Sequence, residues 1–199
     1  TRATAITRTN GVWTKSGDTT RRYLGSFRTT GVSGQTEDSA SKRFLFRVQQ
    51  VPRSLKCRIS TASWTYSTDT LRAPNSDTTT GSTRVEFLRG IDEFPVQLIA
   101  RSNVSVNSAV GNGIAKTNIG LDSTTTGSAY LTVPSQGGGN TAGGDGNQGL
   151  LPSAEYYDFP SAGYHYLQQL EALAVQSGSA TYTWAGNSIN TGMTGVIYG

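Results

Sequence analysis

Only one of the 199 residues is cysteine, Cys57, and only one is histidine, His165. A single thiol forms no disulfide within its chain, and one thiol with one imidazole is too few for a Cys/His zinc site. Stability must therefore come from packing or assembly. No run of 18 apolar residues occurs and no secretory signal pattern is present, so nothing reads as a membrane-spanning helix. Catalytic signatures are missing too: there is no G-x-S-x-G elbow, P-loop or H-E-x-x-H helix. A Ser or Cys nucleophile needs a neighbouring base, and His165, set between Tyr164 and Tyr166, reads as a hydrogen-bonded structural residue. The expectation is a protein that is not an enzyme and carries no cofactor and no metal.

Positive charge is absent from the last 83 residues, since no Lys or Arg follows Lys116. It is concentrated upstream. Residues 1–60 hold 12 basic and 3 acidic side chains, a formal +9, whereas residues 61–199 hold 5 basic and 10 acidic, a formal −5. The net +4 hides a polarised molecule, one end of which is suited to a polyanion. Residues 1–22 place Arg2, Arg8, Lys15, Arg21 and Arg22 among Thr, Gly and Trp13. Long cations spaced along an extended segment can each meet a phosphate and release counterions, so we read residues 1–22 as a basic arm and residues 23–199 as one folded domain, a solvated tail or an edge strand guarded by charge being the other reading of residues 1–22.

What is abundant points to strands. The chain has 28 Thr, 22 Ser and 24 Gly with nine Tyr and three Trp, the composition of many short strands joined by polar turns, and the fold is expected to be all-β. Residues 22–29 (RYLGSFRT) and 42–49 (KRFLFRVQ) read as first core strands, the second with Phe44, Phe46 and Val48 on one face and Arg43, Leu45 and Arg47 on the other. In residues 55–66, Leu55, Cys57 and Ile59 alternate with Lys56, Arg58 and Ser60, and Ala62, Trp64 and Tyr66 then take the other parity, which predicts a bulge or twist near Ser60. As neighbouring strands these would set Arg43, Arg47, Lys56 and Arg58 in one basic wall continuous with the arm.

Further strands are expected at 84–88, 94–100 and 127–134, separated by polar loops. Asp92 and Glu93 are an adjacent acidic pair that could hold a calcium ion between subunits, with a solvated turn as the first reading. Residues 135–149 form a Gly-rich loop whose Gly144–Gly149 matches G-x-G-x-x-G without the flanking strand and helix that a dinucleotide site needs. Residues 154–166 concentrate five aromatic rings, suited to stacking on sugars or bases and equally to capping a core or a subunit interface. Leu167, Leu170, Leu173 and Ala174 fit helical spacing, yet a strand is also open. Residues 179–184 and 194–198 read as a closing hairpin with a long loop.

Together, the basic Thr-rich N-terminus, about eight short strands with long polar loops, and the last run SATYTW…TGMTGVIYG resemble the single jelly-roll coat proteins of small icosahedral viruses. The resemblance implies an antiparallel jelly-roll β-sandwich that self-assembles into a shell within the virion, with non-specific contact to viral nucleic acid, no membrane and a possible host receptor. It makes Arg2, Arg8, Lys15, Arg21, Arg22 and Arg28 the genome-facing group. A trimeric fibre head or adhesin, or a carbohydrate-binding β-sandwich module, is the alternative, with the aromatic cluster as its binding surface.

Overall fold

The computed structural model describes residues 4–49, 51–107, 111–137, 147–178, 181–186 and 191–199. Its strands, in chain order, are β1 (Ile6–Thr9), β2 (Val12–Lys15), β3 (Asp18–Arg22), β4 (Gly25–Phe27), β5 (Lys42–Arg43), β6 (Leu45–Arg47), β7 (Pro52–Arg58), β8 (Trp64–Thr65), β9 (Arg84–Arg89) and β10 (Val96–Arg101). There follow β11 (Val104–Asn107), β12 (Gly111–Leu121), β13 (Leu131–Val133), β14 (Ser135–Gly137), β15 (Asn147–Leu150), β16 (Ser153–Asp158), β17 (Gly163–Gly178), β18 (Thr181–Trp184) and β19 (Gly192–Tyr198). Among the described residues the one helical piece is a 3₁₀ turn, Pro74–Ser76. The fold is all-β, as expected.

Two sheets face each other. One has the order β13-β16-β10-β19-β7 and the other β14-β12-β17-β9-β5. Pairings in both are antiparallel except the short β5–β9 contact, which is parallel. Alternate side chains of the two inner faces meet: Leu55, Cys57, Leu98, Tyr156 and Met193 pack against Val85, Phe87, Ile119 and Leu167, giving the sandwich its first core.

A second core continues from it. The four-stranded sheet β15-β11-β18-β8 repeats the lanes of the first sheet end to end, because β11 pairs with β15 and β18 as β10 pairs with β16 and β19. Every lane is interrupted at the same level: between Arg58 and Trp64, Arg101 and Val104, Leu150 and Ser153, and Trp184 and Gly192. Ile59, Trp64, Val104, Val106, Leu150, Tyr182 and Trp184 close this second core against Ala115 and Leu173. The opposite sheet does not break. β12 and β17 run in register from Leu121↔Leu167 to Gly111↔Gly178, with one bulge at Asn112/Gly113, and so line both cores.

Peptide groups freed at the break are taken up by polar side chains. Gln169 donates to the Arg101 carbonyl (3.0 Å) and the Ser102 hydroxyl (3.0 Å), the Thr117 hydroxyl bonds that of Ser102 (2.7 Å), and Thr191 accepts from the Asn103 N–H while donating to the Ala185 carbonyl. An unpaired buried peptide group is costly, and this polar belt is what lets a sheet stop and restart inside a core.

Several expectations need correction. Residues 6–22 are not an extended arm. They form a three-stranded meander, β1-β2-β3, turning through Asn10 (φ 50°) and Gly11 (φ 81°) between the paired Thr9 and Val12. Two central residues at positive φ are the turn geometry that matches strand twist, and Asn-Gly adopts it most easily. Residues 22–29 are not a core strand, since Leu24 is 76% and Phe27 68% exposed. β18 and β19 are not a hairpin, because they lie in one lane and pair with β8, β11, β7 and β10 rather than with each other. Residues 163–178 are strand. The change of parity near Ser60 is the lane break between β7 and β8.

Candidate nucleic-acid interface

The meander and β4 lie against the end of β9 and the start of β17, and a cleft of about 810 Å³ opens between them. Lys15, Arg21, Arg22, Arg28 and Arg89 line it together with the rings of Tyr23, Phe27 and Tyr164, and no acidic residue does. Four of the ten cations singled out in the sequence thus converge on one concavity. Chain turns bring them together: β2 supplies Lys15 and the end of β3 supplies Arg21 and Arg22.

Each cation is held differently. Arg21 is largely exposed, with its Nε 3.1 Å from Asp18 Oδ2. Asp18 is itself oriented by the Thr20 hydroxyl (2.6 Å) and N–H (3.1 Å), bonds that hold its carboxyl below the usual carboxylate range. The Arg28 guanidinium lies 3.6 Å from the Tyr164 ring centroid and 5.0 Å from that of Phe44, with Glu86 Oε2 at 3.9 Å. That cation–π contact fixes the Tyr164 wall, whose hydroxyl burial pushes above its ordinary pKa. Arg89 is 4% exposed, and its Nε and Nη2 both donate to the Ile91 carbonyl, at 3.3 and 3.2 Å. Desolvation lowers its pKa, opposed by the charges of Asp92, Tyr156 and Asp158.

The other candidate residues are dispersed. Arg8 is paired with Glu93 at 2.8 Å. Arg43 spends its Nε and Nη2 on the Ser54 carbonyl (3.0 and 2.8 Å) and sits 3.5 Å from Asp38, which Arg53 also engages. Lys56 and Arg58 face outward along β7, an edge of the first sheet, whereas Arg47 on β6 pairs with β4. The strands that carry Arg43, Arg47, Lys56 and Arg58, namely β5, β6 and β7, are not paired as neighbours in one sheet but belong to three different sheets. Arg2 and Gly144–Gly146 lie outside the described residues. Arg89 was not singled out from the sequence, although R-V-E-F-L-R carries the alternation of Val85 and Phe87 on to Arg89 and so puts a cation on the buried face.

Two further polar clusters complete the electrostatics. Buried Glu171 accepts from Trp64 Nε1 (2.8 Å), Arg72 Nε (2.9 Å) and the Asn75 N–H (3.2 Å), tying the 68–83 loop to β17. Burial pushes its carboxyl up to about 7, against the opposing pull of those donors. His165 has both ring nitrogens engaged, Nδ1 with Asp122 Oδ2 at 2.7 Å and Nε2 with the Ser161 carbonyl at 2.9 Å. It joins two loops at the end of the sandwich beside the cleft. The aromatic run after Ala154 divides: Tyr156 is fully buried, while Tyr157 and Phe159 form an exposed edge-to-face pair with centroids 6.0 Å apart. No protein-family model matches the chain, and a search of curated proteins finds no match either.

Proposed function

We propose that this protein is a jelly-roll coat protein that self-assembles into a viral shell and contacts the packaged nucleic acid, without sequence preference, through the basic cleft. The observation that carries the fold part is strand order. Taking the eight main lanes in chain order as β7, β9, β10, β12, β14, β16, β17 and β19, one sheet reads first, eighth, third, sixth and the other second, seventh, fourth, fifth. That order supports reading the sandwich as the double Greek key of a jelly roll, an architecture used by viral capsid and lectin domains. Fold alone does not choose between them. The cleft supports the first: five cations and no acidic lining residue favour a polyanion over a neutral sugar. The engagement of both His165 nitrogens supports a structural rather than a catalytic role.

A trimeric fibre head, adhesin or carbohydrate-binding module is the second reading, favoured by the exposed Tyr157–Phe159 pair, whose ring faces suit a sugar. Electron microscopy of the purified protein separates the two. Closed shells support the coat protein, and discrete trimers or monomers across a range of salt and pH overturn it.

A further inference from the structure

We propose that Arg89, with the cations around it, forms a seat for one phosphate group of a nucleic-acid strand, whose neighbouring base stacks on Phe27. The inference rests on the nucleic-acid contact proposed above and gives it a particular address.

Arg89 carries the argument. A guanidinium has five N–H donors, and here its Nε and Nη2 share a single carbonyl while Nη1 donates to nothing among the described residues. Among the described residues no carboxylate is in direct contact with it, the charges of Asp92 and Asp158 reaching it only at a distance, yet it is 4% exposed. Burying a cation whose counter-charges do not touch it is costly, and it leaves guanidinium donors for a direct anionic partner. A phosphate oxygen in the cleft would meet a partly desolvated, donor-rich group, the setting in which guanidinium–phosphate pairing is strongest. Asp18 engages Arg21 and Glu86 lies 3.9 Å from Arg28, but no acidic residue lines the cleft itself, and Lys15 and Arg22 stand there to neutralise the adjoining phosphates. Phe27 on β4 is 68% exposed, an apolar ring that folding leaves in water beside five cations. Aromatic rings flanked by basic residues are how single strands are held without regard to sequence. The volume, about 810 Å³, accommodates a nucleotide.

The test is fluorescence anisotropy of a labelled oligothymidylate with the full chain across a salt series, with pyrophosphate as a second ligand. Arg22→Gln and Lys15→Gln should each lower the slope of log affinity against log salt by about 0.7. Phe27→Ala should weaken binding by roughly 5- to 100-fold, with the circular dichroism spectrum unchanged because the ring is exposed. Arg89→Met should weaken binding at least as much; should that variant fail to fold, the other three decide the outcome. Lys56→Gln, on the outer face of the first sheet, should matter less than any of them. If the wild type binds the oligonucleotide and only Lys56→Gln weakens it, the seat is overturned while nucleic-acid contact stands. If pyrophosphate binds and the oligonucleotide does not, the assignment to a nucleic-acid strand is overturned. If neither binds at low salt, both the seat and the contact it rests on are overturned.

Discussion

Gln169 on β17 donates its side-chain amide across the sandwich to the main-chain carbonyl of Arg101, 3.0 Å away, where β10 ends and its lane breaks. The same amide reaches the Ser102 hydroxyl, while its own Oε1 is buried without a donor. Gln169→Leu keeps the volume and removes the donors to the Arg101 carbonyl and the Ser102 hydroxyl, and should cost about 1–3 kcal/mol. Urea unfolding measures it, and a loss below about 0.5 kcal/mol, the range of ordinary surface changes, would show that the belt is not what satisfies the break.

Glu171 makes stability depend on pH. Its folded pKa of about 7 lies above the model-peptide carboxylate value of 4.5, so between those values the folded state binds more protons than the unfolded one. The contribution is thus fully present below about pH 4.5 and is lost as pH rises through about 7, on the order of 3 kcal/mol. Glu171→Gln removes the titration, and the stability of the wild type relative to this variant should fall across that window. A difference that stays constant from pH 4 to 8 on the acid-to-neutral scale of these titrations would refute the assignment.

Cys57 faces the first core, and burial pushes its thiol up to about 12. The thiolate is the reactive form, so the native protein should resist thiol reagents at neutral pH and react once it is unfolded. Stoichiometric labelling without denaturant would contradict the packing of β7 against β19.

Gly11 tests whether the meander builds the cleft. A Cβ there meets nothing within 4 Å, so the cost of Gly11→Val is confined to the left-handed backbone, φ 81°. The variant should loosen β1–β3, which carry Lys15, Arg21 and Arg22, and weaken oligonucleotide binding while the sandwich melts at an unchanged temperature. Faster amide exchange limited to residues 6–22 would be the accompanying sign. A large fall in melting temperature would mean instead that the meander helps hold the sandwich together.

Gly186 marks the other side of the lane break. A Cβ built there would strike the Thr61 carbonyl, which is backbone and cannot swing away. Gly186→Ala should therefore cost about 1–3 kcal/mol as overpacking rather than as lost flexibility, measurable by thermal or urea unfolding. A neutral outcome would place these two segments further apart than the fold has them.

Legibility in the sequence followed exposure. Phe44 with Phe46, and Leu55, Cys57 and Ile59, alternate with water-facing neighbours, and that contrast is readable in one dimension. β17 is different: Leu167, Gln168, Gln169, Leu170, Glu171, Ala172 and Leu173 are all buried, because the 68–83 loop covers part of this strand that another sheet would leave open. A strand covered on both faces has no period of two, so helix and strand stayed indistinguishable. β12, written GNGIAKTNIGL, carries Gly and Asn residues that signal turns in one dimension, so its strand is not legible locally. Lane-sharing by β18 and β19 could not be read locally at all, since their partners lie at residues 52–65 and 96–107. The converging cations were visible one by one. Their cleft was not, although the Asn10-Gly11 turn that folds the arm back is a local signal.

The place of β19 between β7 and β10 also dictates when the protein can fold. During synthesis β7 and β10 emerge early but cannot complete their sheet, because the strand that sits between them is still to be translated. Until Gly192–Tyr198 leaves the ribosome, the inner faces of Leu55, Cys57, Leu98 and Ala100 have one side of their lane empty and two sheet edges open to other chains. Closure depends on contacts between the first third of the chain and its last residues, which makes folding slow and exposes nascent chains to one another when many are made side by side.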